Sequence, residues 1–445
     1  MTKYDNKYFK LLNSFRTAKV AKSFTSENLT DYSGLSSVSD YLTHFGLYST
    51  IERYFPTTVH SATKLLNVQL ISGIIFACFC GIYRMSKISA FMHDVLVSKL
   101  LRLKGGFEDS NLKTRLSQLG QQGANTLLEM GLAISRKCIS KSGLTRITLD
   151  CDSTEQTVFG HQQGAEKGYN PANRGKKCYH PLICFYSEMK LVVNSWFRPG
   201  NTYTANGIVE FMKQTLAALP KKIEQVFFRA DSGFFNGHLF DLLEETGNEY
   251  LVKAKLNPKL KAELAKQDWE SIDGYTAVCE FEYQAQSWSK PRKMFGVRIV
   301  KEYVERMWLG TVQRIPVYAY FCYCSNLKGL NSKQIHQLYG GRAESENWIE
   351  NLKNQLCAGQ TITNEFYVND ILWQLSVMAY NLSTIMRYEV DYKSSREEHK
   401  TFREWFICVS GKVVSRSRKS IVKMSRHYIY AERWKRFADK IPIAC

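Results

Sequence analysis

The sequence predicts an α/β protein, and three observations carry that expectation. The run ITLDCD alternates, with Ile147, Leu149 and Cys151 on one face and Thr148, Asp150 and Asp152 on the other. Short β-prone runs and helical patterns then succeed one another through residue 253. Their order reads β-β-β-α-β-α-β.

Along the chain, residues 1–60 are polar and aromatic without a clear period. Residues 61–140 are predicted helical. The apolar run Leu70 to Tyr83 is too short for a membrane span and contains Ser72 and Gly73, so it reads as a buried helix. MSKISAFMHDVLVSKLLRLKGG has apolar spacings of three and four and closes on Gly105-Gly106. Two further helices are expected around Gly120 and Gly123. A DNA-reading helix-turn-helix and an ordinary helical bundle are both open for this region. After the first strand, CYHPLICFYSEMKLVVNSWF reads as a hairpin turning near Ser187-Glu188. Thr204 is placed to cap a helix that Pro220 closes. IEQVFFRAD is a strand ending at Asp231, NGHLFDLLEETG a helix stopped by Gly247, and EYLVKAK another strand. The aromatic, β-rich residues 275–325 read as a separate inserted sheet. Helix returns from Ser332 to about Arg387. The expected domains are a helical DNA-binding region at 1–145, a core at 146–270 and 326–390, an inserted β domain at 271–325, and a basic helical tail at 391–445.

The formal charge of +19 and pI near 9.3 suit a polyanionic partner, because Lys and Arg displace counterions from phosphates. The 12 cysteines are scattered, and CFC and CYC lack the spacing of a zinc knuckle. Reduced thiols in a cytoplasmic protein follow. The N-terminus has no signal-peptide apolar region. LKGGF and YGGR lack the GKS/T ending of a phosphate loop, and no His is placed to activate Ser153 or Ser232.

Three acids stand out: Asp152 in ITLDCDST, Asp231 in VFFRADSGFF, and Glu346 in YGGRAESENWIENLK. Hard divalent cations need clustered oxygen ligands, and two strand-end carboxylates with one from a helix can supply them. Tyr339, Arg342, Glu346 and Lys353 are spaced by three, four and seven, which brings them to one helix face.

That spacing matches the YREK signature of bacterial insertion-sequence DDE transposases without a gap. Asp152-Ser153-Thr154 resembles the Asp-x-Thr after the first strand of that superfamily, and Arg229–Phe234 resembles its second-Asp motif. KGYNPANRGKKCYHPL and FRPGNTYTANG resemble insertion-sequence group thirteen-eighty in particular. The resemblance spans roughly residues 80–440. It implies a ribonuclease-H-like catalytic core with an inserted β domain, and cut-and-paste transposition of double-stranded DNA, with the element's terminal inverted repeats and a target as substrates. Asp152, Asp231 and Glu346 would hold two Mg²⁺ ions, with Mn²⁺ able to substitute. Tyr339, Arg342 and Lys353 would meet DNA. Asp150 shares the strand face of Asp152, and the Asp-x-Thr context selects Asp152. A homodimer in a synaptic complex and a nucleoid-associated location in the bacterial cytoplasm are the matching expectations. A transposase-derived regulator without catalysis and a structure-selective nuclease are the alternatives.

Overall fold

The computed structural model describes residues 3–17, 22–57, 65–105, 107–171, 173–308, 311–390, 396–416 and 419–442. Helices come first: α1 (Lys3–Thr17), α2 (Leu35–Phe45), α3 (Leu47–Tyr54), α4 (Asn67–Phe79), α5 (Met85–Met92), α6 (Val95–Leu100) and α7 (Asp109–Ser140), with strand β1 (Leu29–Thr30) after α1. Then follow β2 (Arg146–Ser153), β3 (Gln156–Thr157), β4 (Glu166–Lys167), β5 (Lys177–Tyr179), β6 (Leu182–Tyr186), β7 (Leu191–Trp196), α8 (Ile208–Ala218), β8 (Gln225–Ala230), α9 (Gly237–Glu245) and β9 (Glu249–Lys253). The rest is α10 (Pro258–Ala265), β10 (Glu270–Ser271), β11 (Thr276–Tyr283), β12 (Arg292–Trp308), β13 (Thr311–Ser325), α11 (Ser332–Gly340), α12 (Glu344–Gln355), α13 (Phe366–Val390), α14 (His399–Phe402), β14 (Gly411–Arg416), β15 (Lys419–Met424) and α15 (Ala431–Asp439).

One large mixed sheet runs β10-β11-β12-β13-β9-β8-β2-β6-β7. β2 is parallel to β8 and β8 to β9, while β6 and β7 are antiparallel. The elements β2-β6-β7-α8-β8-α9-β9 reproduce the β-β-β-α-β-α-β order expected from the sequence. The hairpin turns through Ser187–Met189, with Lys190 in the left-handed region at φ 57°.

Residues 271–325 do not form a separate sheet. β13 pairs with β9 through Tyr323–Lys253, Cys324–Val252 and Ser325–Leu251, so the inserted strands continue the core sheet. β9 would otherwise be a bare edge, and covering it removes unpaired backbone groups from solvent. Pairing with β11 stops at Ile299, and a bulge interrupts β12 between Val300 and Glu302. Beyond it β12 and β13 pair only with each other, as a projecting two-stranded arm.

The helical region is a layer of the core. α4 is buried from Leu70 to Phe79. No helix among the described residues is long and apolar enough to cross a membrane. The segment expected as one helix closing on Gly105-Gly106 is two, because the Asp94 carboxylate accepts the amides of Leu96 and Val97 at 2.9 and 3.1 Å and starts α6. Gly106 lies outside the described residues. α7 breaks at Gly120, where φ is 53° and ψ is −151°. Its second half buries Leu127, Met130, Ile134 and Cys138 against α13 and β7. Asn381 of α13 ties the three together: it exchanges bonds of 2.8 and 2.7 Å with the Val192 backbone and donates to Ser135 Oγ at 3.0 Å. That face of α7 is therefore not free to enter a DNA groove.

The tail departs from the helical expectation. Alternating β-branched residues around Val413-Val414 and Ile421-Val422 make a hairpin, and β14 also pairs with β1. Phe402 stacks on Phe406 at 5.0 Å and Phe406 packs tilted on Phe437 at 4.9 Å, which closes the tail on itself, and Arg403 docks it on α4 by donating to the Phe79 carbonyl at 2.7 Å.

A buried ion pair locks β2 to β8. Asp150 and Arg229 are register partners, and the guanidinium grips the carboxylate with two bonds of 2.8 Å. Asp150 is fully buried. Removing one partner leaves an uncompensated charge, so Asp150→Ala is expected to destabilise the fold by about 3–5 kcal/mol in chemical denaturation. A loss below about 1 kcal/mol, the range of exposed pairs, would show that the pair is not structural.

Candidate active site

β2 and β8 run parallel, and their last register pair is Cys151 with Ala230. The next residue of each strand line is an acid. Asp152 and Asp231 therefore leave the same end of two adjacent strands. The Asp152 carboxylate accepts the Ser153 amide at 2.8 Å. Asp231 accepts the Gly233 amide at 2.9 Å and caps the 3₁₀ turn Ser232–Phe234. Both local bonds fix where the carboxylates point.

The third acid arrives on the other side. Tyr339 lies in the last turn of α11, Arg342 lies in a 3₁₀ turn over Gly341–Ala343, and Glu346 and Lys353 lie on α12. The single helix expected here is a helical run tightened at its middle. Its register still delivers Arg342 to the strand ends, with Nη2 2.5 Å from Asp152 Oδ2 and Nη1 3.5 Å from Glu346 Oε1. Glu346 is largely exposed at 68%, while Asp152 is 12% exposed.

Electrostatics follow from that placement. Burial pushes the Asp152 carboxyl up to about 7; Arg342 and the Ser153 amide pull it down, and Asp231 and Glu346 add to the rise. Burial lowers the Arg342 guanidinium, but Asp152, Tyr339, Asp231 and Glu346 outweigh it and leave it raised. Burial thus dominates at the acid and attraction at the base. The short contact between them favours the ionised pair. All three carboxylates act on the one guanidinium, so they share one electrostatic neighbourhood. A hard-oxygen donor set of this kind fits Mg²⁺ or Mn²⁺. As the side chains stand, with Arg342 among them, no group of three His, Cys, Asp or Glu among the described residues is close enough to hold a metal ion.

Asp150 and Asp152, alike in the sequence, have different partners. Asp150 is gripped by Arg229 and accepts Ser187 Oγ at 2.5 Å. Arg229 also donates to the Leu338 carbonyl of α11 at 2.9 Å. A side chain at Gly341 would come within 2.6 Å of the Arg229 guanidinium. The YGGR glycine thus lets the helical run close onto this pair. Sequence reading passed over Arg229 as a site residue. Its signal was the strand period: two residues before Asp231, it faces the same side as its register partner Asp150.

Tyr339 is half-buried against Tyr323 at 4.9 Å between ring centroids, and burial pushes its hydroxyl up to about 12. The Lys353 ammonium donates to Thr154 Oγ1 at 3.0 Å and to the Glu155 carbonyl at 2.7 Å. It pins the loop beyond Asp152, and burial lowers its pKa. Thr204 does not cap α8, whose cap is Gly207. Its hydroxyl instead meets Ser153 Oγ at 3.0 Å. The phrases KGYNPANRGKKCYHPL and FRPGNTYTANG pack on one another: a side chain at Gly168 would collide with the Gly200 carbonyl, and Arg198 donates to the His180, Tyr203 and Asn206 carbonyls. Together they brace the loops beside Asp152. Trp288 is core, 6% exposed among Phe235, Phe240 and Tyr283, whereas Trp308 is 66% exposed near the tip of the arm.

No curated protein matches this chain. Among solved structures, it resembles the piggyBac transposase in a cryo-EM synaptic complex with hairpin DNA at 14% identity and a TM-score of 0.47, over 85% of this chain and 81% of that one. It resembles the Mos1 transposase in a paired-end complex with the left transposon end at 12% identity and a TM-score of 0.18, over 55% and 65%. The family model described as Transposase DDE domain group 1 matches residues 12–444. With nearly its whole length matched, the chain belongs to the group 1 DDE-domain transposases.

Proposed function

We propose that this transposase works by cut-and-paste, with Asp152, Asp231 and Glu346 as its catalytic carboxylates and two Mg²⁺ ions, or Mn²⁺ in their place, held between them. The observation that carries the reading is that Arg342 contacts Asp152 and Glu346 at the end of two parallel strands, with Asp231 on the neighbouring strand end also acting on its charge. Bound there, the ions supply Lewis acidity for activating water and for stabilising the oxygen that leaves a phosphodiester. Asp152 and Asp231 are aimed by the amides of Ser153 and Gly233. Arg342 is the cation nearest the carboxylates and suits a phosphate, which its fork can grip with two bonds. Lys353 holds the loop after Asp152, and Tyr339 packs the start of the helical run.

The substrates are double-stranded DNA: the element's terminal inverted repeats and a target. A homodimer assembles on them, since two ends must be cut and joined together, and the charge of +19 is neutralised by DNA phosphates. The finer placing in insertion-sequence group thirteen-eighty rests on the YREK spacing and the two packed phrases. The working location is the bacterial nucleoid.

Asp231→Ala and Glu346→Ala should each abolish cleavage of end DNA in Mg²⁺ while leaving its binding within about threefold, because each removes a metal ligand and no phosphate-binding cation. Cleavage at the parent rate in either variant would refute the assignment. Asp152→Asn should fold normally and not cut, whereas Asp150→Asn should chiefly lower stability. A regulator would bind ends and never cut them; a nuclease would cut them and never join them to target.

Of the two inserted-strand tryptophans, Trp288 and Trp308, the exposed Trp308 is the one we propose to stack on a base unpaired at a cleaved end, an interaction worth about 1–3 kcal/mol. Trp308→Ala should melt with the parent and lose the quenching of a 2-aminopurine at the end position. Unchanged quenching and cleavage would remove Trp308 from that role.

A further inference from the structure

Arg342 stands where the site's charges meet. Its guanidinium spans Asp152 and Glu346, and its side chain is only 9% exposed. Its Nε is buried without a hydrogen-bond partner among the described residues, so this seat does not use the whole fork. The backbone beneath it has little freedom: Gly341 is pressed onto the Arg229 guanidinium, and Arg229 also holds the Leu338 carbonyl. A rearrangement here therefore falls to the Arg342 side chain. A guanidinium and a divalent cation compete for the same carboxylate oxygens, and two cations at such separation repel strongly in a partly buried site.

We propose that Arg342 is the resident counter-cation of the metal-free site, and that a divalent ion loads by displacing it. This rests on the reading of Asp152, Asp231 and Glu346 as the metal ligands. Without metal the arginine offsets the repulsion between acids that share a partly buried site. On loading it leaves the carboxylates with its donors free, at the edge of the site, where a phosphate would satisfy them. Metal loading and phosphate engagement are then linked through one side chain, and by thermodynamic reciprocity each favours the other.

The test is Mn²⁺ binding to the full chain without DNA, followed by the loss of the free-ion electron paramagnetic resonance signal. Arg342→Gln removes the competing charge and should bind Mn²⁺ roughly tenfold more tightly than the parent. Arg342→Lys keeps a charge there and should stay within about threefold of it. Equal or weaker binding by Arg342→Gln overturns the proposal. Equal tightening in both variants overturns it too, because charge would then not be the cause. Asp152→Asn should bind Mn²⁺ far less well. If it binds like the parent, the ligand reading falls and the proposal with it, whereas a flat response to Arg342→Gln beside a loss in Asp152→Asn overturns the counter-cation alone. Circular dichroism of each variant confirms that a fold is being compared.

Discussion

The Asp150–Arg229 pair sits beneath the site and couples three elements that are far apart in the chain. It bonds β2 to β8 across their shared register, and through the Leu338 carbonyl it reaches α11. Asp152 and Asp231 lie just beyond it on the strands, and Arg342 and Glu346 just beyond it on the helical run. A charged pair so deep is an expensive means of packing, since apolar residues of similar volume often do as well or better. What it adds here is direction. A bidentate fork tolerates little rotation, so the relative placement of the two strands and the helix is set to within a hydrogen bond's latitude.

Above that base the balance is between burial and charge. At about 4 Å and an effective dielectric near 20, two unit charges interact by about 4 kcal/mol. Asp152 has both Asp231 and Glu346 acting on it, and burial raises its pKa further. The Arg342 guanidinium, 2.5 Å away, opposes that rise. Under the counter-cation proposal, a site held this way folds around Arg342 and exchanges it for a divalent ion. The same balance explains why Asp152 and Glu346 face an arginine and not one another.

Much of this was legible in the residues. Asp152, Asp231 and Glu346 could be picked out as candidates because strand period and helix spacing are local, and the core order followed from the same periodicities. What failed was non-local. Asp150 and Asp152 share one strand face, and although the Asp-x-Thr context selects Asp152, the reason Asp150 is engaged elsewhere, its pairing with Arg229, lies on the partner strand. The inserted strands read as an independent sheet because their own alternation is complete; their pairing with β9 depends on an edge that sequence does not display. The tail read as basic helix, but Val413, Val414, Ile421 and Val422 pair as strands beside β1, some 380 residues away in the chain. Trp288 and Trp308 are indistinguishable by composition. One is buried because Gly237 leaves room for its indole, and the other is exposed because its strand outruns its neighbours.

The most direct measurement is the anomalous scattering of Mn²⁺ in crystals of the full-length protein. The account predicts manganese peaks contacted by Asp152, Asp231 and Glu346, with the Arg342 guanidinium withdrawn from Asp152. Manganese bound elsewhere, or a saturated protein in which Arg342 still bridges Asp152 and Glu346, would contradict it.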